Sequence, residues 1–203
     1  MIINLDLRGK KIAVVGDGSD AIYRAKKMAS EGAEVTIFSD VVDQTLIRAS
    51  NDEANKFNIT IEPANAIFAR DLLRRERLSN FAMIVATDRN VEINTKLERR
   101  SRRYNILLNT LDEPATCNFS HVAVKEPIQG VEIAISTGGQ SPAFASHLAR
   151  KIEANIGEVD KEVFKAFVTI RQEVKRQGRS TFEVNWKEIA SEVEARYHHQ
   201  IAL

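Results

Sequence analysis

Lys11–Asp40 reads KIAVVGDGSDAIYRAKKMASEGAEVTIFSD. Ile12–Val15 is a short apolar, β-branched run, the pattern of a parallel strand buried on both faces. It stops at Gly16-Asp17-Gly18-Ser19-Asp20-Ala21, a G-x-G-x-x-A turn. Ile22, Ala25, Met28 and Ala29 then recur at helical spacing, with charges between them. Gly32 supplies the C-terminal stop, and Val35–Phe38 is a second apolar strand. The order is strand, glycine turn, helix, strand, as a dinucleotide-binding βαβ unit requires.

Each residue type in that turn has a physical reason. Gly16 permits the tight turn out of the strand. Gly18 lacks a Cβ, so a pyrophosphate can come close to the backbone. Ala21 is small enough for the helix to pack on the strand, and the amides at the helix start face the phosphates. The alternative is a turn of this shape kept for packing alone. Asp17 and Asp20 bring negative charge into the loop. The place of the ribose-binding acid at the end of the second strand is held by Ser39, with Asp40 next. Asp40 suits ribose hydroxyls, and no Arg or Lys follows closely to hold a 2′-phosphate, so NAD is expected over NADP.

The chain has 203 residues, enough for one nucleotide-binding domain and a smaller appendage. A net charge of +1 argues against a nucleic-acid binder that works by bulk charge. The single cysteine, Cys117, leaves no internal disulfide and no multi-cysteine metal cluster. No apolar run reaches the length of a membrane span, and the start, MIINLDLRGKK, lacks a signal-peptide core. A soluble cytoplasmic protein without membrane or nucleic-acid partners is expected.

Beyond Asp40 the pattern predicts a polar helix over 43–57, a strand over Ile59–Glu62, a helix over Ala69–Leu78 and an apolar strand over Phe81–Ala86. Thr87-Asp88 follows, and Asn90 is placed to cap a helix running to about Tyr104. Ile106–Leu108 is a short strand ending at Asn109-Thr110-Leu111-Asp112. In a parallel sheet, ligands bind at the carboxyl ends of the strands. The glycine turn, Thr87-Asp88 and Asn109–Asp112 therefore point to one crevice. Phe119–Val124 and Val131–Ser136 read as two more strands. Thr137-Gly138-Gly139-Gln140-Ser141-Pro142 is a turn into a helix over Ala143–Ile156, capped by Ser141 with Pro142 in its first turn. From Lys161 the chain is helical and charged, with a break near Gly178 and a last helix from about Asn185. These helices are too few for a large independent core, so packing against a second copy of the chain is expected.

LRGKKIAVVGDG, GAEVTIFS, ATDRNVEIN, NTLDEPATCNF and IAISTGGQSPAFASHLARKIE, in that order, resemble the siroheme synthase dehydrogenase/ferrochelatase family. The similarity runs from about Asn4 to Glu153, and STGGQSPAFA and the aspartate of NTLDEP are its most specific elements. The resemblance implies an α/β fold: a Rossmann-type parallel sheet over 1–113, a small α+β dimerisation segment over 114–150 and a C-terminal helical tail over 151–203. It implies NAD-dependent oxidation of precorrin-2, a polycarboxylate tetrapyrrole, to sirohydrochlorin. Some members then insert Fe²⁺, and members are homodimers. The family's catalytic aspartate falls on Asp112. The family's NAD-touching positions fall on Ser19, Asp20, Asp40 and Val41, with Thr87 and Asp88 at another cofactor-facing strand end, and Gly16, Gly18 and Ser39 are cofactor candidates by their place in the turn and at the strand end. Asn109, Thr137, Gly138 and Ser141 are candidate substrate contacts, and a serine-rich loop that is phosphorylated in some relatives falls on Ser136 and Thr137. The chain departs from the pattern at Asp17 and at Ser120-His121-Val122.

Dehydrogenation needs a hydride acceptor, which nicotinamide supplies, and a group that takes a proton. Asp112 fits the second role, and chelation needs a base as well. The plainer reading is that Asp112 orders the Glu113-Pro114 turn. His121 is the one candidate for contact with iron, against the commoner structural role of a lone histidine. Cys117 reads as a small core residue. Arg70, Arg74, Arg75 and Arg77, then Arg99, Arg100, Arg102 and Arg103, form two basic helical runs. They attract a polycarboxylate or form solvated faces paired with Glu76 and Glu98. The competing function is a tetrapyrrole- or nucleotide-binding regulatory protein of the same fold that has lost catalysis.

Overall fold

The computed structural model describes residues 2–39, 58–63, 78–111 and 113–201. The chain divides into two compact units that meet between His121 and Val122. The helices expected over 43–57 and over 69–77 lie outside the described residues, as do Asp40, Val41 and Asp112.

The first unit is built on β1 (Lys11–Val15), α1 (Gly18–Ser30), β2 (Glu34–Ser39), β3 (Ile59–Pro63), β4 (Met83–Ala86), α2 (Val91–Tyr104) and β5 (Leu107–Thr110). The five strands form one sheet in the order β3-β2-β1-β4-β5, and every pairing is parallel. Strand order reverses between β1 and β4, the topological switch point where such sheets open a ligand crevice. The α/β class with a Rossmann-type parallel sheet, read from the sequence, is therefore the observed one.

Burial explains why β1 and β4 are unbroken apolar runs. Ile12 and Val14 pack with Ala21, Ala25, Met28 and Ala29 of α1 on one face. Ala13 and Val15 pack with Leu97 of α2, Phe38 and Leu108 on the other. Neither face meets water, so no alternation with polar residues survives. Each buried Val or Ile side chain contributes about 1.5–3 kcal/mol. Phe38 also meets Phe81 edge-on, with centroids 5.8 Å apart.

Caps set the helix ends. Asn90 Oδ1 accepts from the amides of Glu92 and Ile93, each at 3.1 Å, and opens α2 as its position predicts. Gly32, at φ +86, closes α1.

The strand expected over Phe119–Val124 forms only from Ala123. Asn118 is the cause. Its main-chain amide donates to Leu108 O at 2.9 Å, its Oδ1 accepts from Leu108 N at 2.7 Å, and its Nδ2 donates to Ile106 O at 2.8 Å. One asparagine thus stands in for a strand neighbour along β5 and holds the following residues out of a ladder of their own.

The second unit holds a hairpin, β6 (Ala123–Ile128) and β7 (Val131–Ile135), followed by α3 (Pro142–Glu153), α4 (Glu158–Arg176) and α5 (Trp186–Ile201). The hairpin register shifts between Lys125 and Ile128, beside Pro127, which has no amide to donate. α3 packs on the hairpin, and Lys125 pairs with Glu153 at 3.0 Å. α4 and α5 pair through Phe167 and Trp186, whose rings lie 4.9 Å apart. Ala145, Ala149 and Val174 are the buried apolar side chains described in this unit.

Candidate functional site

The glycine turn leaves β1 at the switch point. Gly16 N donates to Phe38 O at 2.8 Å, and Thr87 N donates to Val15 O at 2.7 Å, so the turn is pinned between the ends of β2 and β4. Gly16 has φ +130, and a Cβ there would lie 2.3 Å from Thr87 Oγ1 and 2.9 Å from Asp88 N. The backbone and the close approach of the β4 loop each demand glycine. Gly18, at φ +70, is different: a Cβ there would meet nothing within 4 Å. Asp17 holds the N-cap position but its side chain makes no capping bond to the helix amides. Ser19 and Asp20 follow, both exposed. An open space over a glycine, beside helix amides that no side chain caps, is the cradle that a dinucleotide pyrophosphate fills. The residues present fit an NAD(P) group.

Three further strand ends border the turn. Ser39 closes β2, opposite Pro63, and is fully buried. Asp40 and Val41, the positions read as contacting the cofactor after it, are outside the described residues. Thr87 follows β4, with Oγ1 donating to Val15 O at 3.3 Å, and Asp88 beside it is exposed. Asn109 lies in β5, buried, with its amide donating to Phe119 O at 3.1 Å and to Cys117 Sγ at 3.7 Å. Gly16, Gly18, Ser19, Asp20, Ser39, Thr87, Asp88 and Asn109 are thus gathered at the carboxyl end of one sheet.

The loop after β5 is braced on both sides of Asp112. Thr110 Oγ1 donates to Glu113 O at 3.1 Å, and Thr116 Oγ1 donates to the same oxygen at 2.9 Å. Cys117 Sγ accepts from Thr110 N at 3.2 Å and lies 3.2 Å from Thr110 O and 3.4 Å from Glu113 O. The cysteine is a half-buried anchor that closes the loop upon itself rather than a core residue.

His121 sits at the surface, edge-on to Phe119 with centroids 5.3 Å apart. Partial burial, then the positive charges of Arg24 and Lys27, push its pKa down to about 4, so the imidazole is neutral near pH 7. Among the described residues no group of three His, Cys, Asp or Glu side chains is arranged to hold a metal. The arginines of α2 are largely engaged on their own helix. Arg102 pairs with Glu98, Arg100 donates to Tyr104 at 3.3 Å, and Arg103 lies 5.8 Å from the Tyr104 ring centroid. The basic run over 70–77 is outside the described residues.

In the second unit, the loop between β7 and α3 braces itself. Gly138 N donates to Ser136 Oγ at 3.1 Å, and Ser141 N donates to Thr137 Oγ1 at 3.0 Å. Ser141 Oγ accepts from Phe144 N at 3.2 Å and caps α3, as its place before Pro142 predicts. Consecutive positive φ at Gly138 and Gly139 account for the Gly-Gly pair.

Sequence reasoning missed Asn94. It is 1% exposed, and its Nδ2 donates to Asp88 O at 3.2 Å and to Glu113 Oε2 at 3.3 Å. The signal was present. Asn94, Leu97 and Ser101 recur at helical spacing on the buried face of α2, and an amide among apolar positions marks a polar contact underneath.

Comparison with known proteins places these features. A family model described as "Putative NAD(P)-binding" matches residues 3–123, and one described as "Sirohaem biosynthesis protein central" matches residues 131–155. A protein of Methanocaldococcus jannaschii named "Putative precorrin-2 dehydrogenase" is 31% identical over 163 residues, which cover 78% of this chain and 74% of that protein. The Bacillus subtilis protein named "Precorrin-2 dehydrogenase" is 24% identical, over 74% of this chain and 85% of its own. Proteins named siroheme synthase match as well, and this chain spans only 28–38% of their length. The solved structure described as "SirC, precorrin-2 dehydrogenase" aligns with a TM-score of 0.67 over 100% of this chain and 98% of that one, at 21% identity, a likeness of fold.

Proposed function

The chain belongs to the siroheme synthase N-terminal family, and from that premise we propose that it oxidises precorrin-2 to sirohydrochlorin with NAD. The observation that carries this reading is the pairing of an open glycine turn with a braced, carboxylate-bearing loop at one end of the same parallel sheet.

NAD, when bound, supplies the hydride acceptor. The chain's own residues do the rest. The amides opening α1 hold the pyrophosphate, with Gly18 giving it room. Asp40 receives the ribose hydroxyls and sets the preference for NAD over NADP. Thr87 and Asp88, at another strand end, would border the cofactor. Asp112 takes the proton that the macrocycle releases as it is oxidised, and the ties from Thr110, Thr116 and Cys117 fix the loop around it. Thr137, Gly138 and Ser141 belong to the substrate side, in a loop whose internal bonds hold its shape.

Iron insertion is a second step that the same carboxylate can serve, because the macrocycle sheds pyrrole protons as metal enters. Fe²⁺ is a substrate in this reading. Assembly as a homodimer is part of the proposal. Val124, Phe144, Val168 and Phe182 of the second unit expose apolar surface, and a second copy is the expected cover. Among the described residues, no helix is long and apolar enough to cross a membrane.

The test is an anaerobic assay with enzymatically generated precorrin-2. NAD is expected to drive the spectral change to sirohydrochlorin, NADP to be the poorer acceptor, and added Fe²⁺ to yield siroheme faster than in a protein-free control. Tight NAD binding with no turnover would replace this reading with that of a binding protein.

A further inference from the structure

Asn94 lies in the second turn of α2, buried to within 1%. Both bonds of its Nδ2 leave the helix. One goes to the main-chain oxygen of Asp88 in the loop after β4, the other to the carboxylate of Glu113 in the loop after β5. Its Oδ1 is buried and has no hydrogen-bond partner among the described residues. A helix that needed only to pack here would carry a leucine, as α2 does at Leu97, which is equally buried. An amide with a buried, unsatisfied oxygen is the costlier choice for folding. What it gains is a side-chain tie between the loops after β4 and β5, above the backbone bond from Leu111 N to Ala86 O at their bases.

We propose that Asn94 is a positioning residue that straps the loop carrying Asp88 to the loop carrying Glu113, holding the two strand-end loops against each other. This rests on the functional reading above, and Asn94 itself touches neither substrate nor cofactor. Glu113 is the charged group that faces it from the β5 loop. From the β4 loop it meets a main-chain carbonyl, with the carboxylate of Asp88 and the guanidinium of Arg89 on either side in sequence. On its own helix, Glu92 and Lys96 pair with each other at the surface.

Two variants of the full chain test the strap, Asn94→Leu and Asn94→Asp. For Asn94→Leu, the unfolding temperature is expected to stay level or rise. Amide exchange is expected to quicken together at residues 87–89 and 113–118. The kcat with precorrin-2 is expected to fall roughly ten- to hundredfold with a smaller change in KM for NAD, as misplacement of a reacting group produces. Asn94→Asp adds a pH signature. Protonated, the new carboxyl donates to Glu113, and ionised it repels it, so relative to the parent's own profile activity recovers toward acid and falls as pH rises. A lowered unfolding temperature with parental kcat per folded molecule would overturn the proposal. So would unchanged exchange in the two loops, or an Asn94→Asp profile parallel to the parent. If the parent chain does not oxidise precorrin-2 at all, the functional reading fails, and the exchange measurement alone still decides the strap.

Discussion

At Gly16 a missing Cβ meets two demands at once, a positive φ and the close approach of Thr87 and Asp88. At Gly18 only the φ is demanded, and the space beyond is open. The two glycines therefore separate folding from binding. Gly16→Ala is expected to unfold the chain at markedly lower temperature. Gly18→Ala is expected to cost about 1–2 kcal/mol of stability from its left-handed backbone, leaving a folded protein with weakened NAD affinity. Thermal unfolding and NAD titration of both variants check this contrast. Asp112→Asn is expected to bind NAD as the parent does and to lose turnover by roughly a hundredfold or more, the share a positioned base contributes. A normal rate would show that Asp112 only orders its turn. His121 gives a pH prediction. Its pKa in the folded chain is about 4 against an ordinary 6.5, so the folded state binds that proton less readily than the unfolded state. The stability it leaves intact above pH 6.5 is lost progressively as pH falls toward 4. Unfolding midpoints of His121→Gln should fall less steeply than the parent's across that window.

Elements differ in how plainly the chain announces them. β1, β2 and β4 are buried on both faces, so their apolar runs were legible without any knowledge of partners. Asn90 and Ser141 were legible as caps because capping is a local rule. Asn90→Ala should cost about 1 kcal/mol at the start of α2 and loosen the turn that carries Asn94, measurable by amide exchange along Val91–Tyr104. Other features were not local. Phe119–Val124 has the composition of a strand, yet the bonds of Asn118 along β5 keep its first residues out of a ladder. Cys117 looks like filler until the fold sets its sulfur against the backbone of Thr110 and Glu113. Asn94 gains meaning only once two loops far apart in sequence lie under one helix face. Gly16, Gly18, Thr87 and Asp88 were readable as neighbours because strand ends of a parallel sheet converge by rule.

For the whole molecule, the first unit contributes a dinucleotide fold and the second a hairpin with three helices, in which Ala145, Ala149 and Val174 are the buried apolar side chains among the described residues. Neither the parallel sheet nor the glycine turn specifies a tetrapyrrole, since the same fold serves many reactions. In the proposed reading, that specificity rests on family membership, on Asp112 and on the loop over Ser136–Ser141. The central claim is that NAD takes the electrons that precorrin-2 loses. The stoichiometry of the parent reaction, measured without air, tests it most directly: NADH formed against sirohydrochlorin formed. The prediction is one for one, with both products absent when either the protein or NAD is omitted. Sirohydrochlorin appearing at the protein-free rate, or without matching NADH, would contradict it.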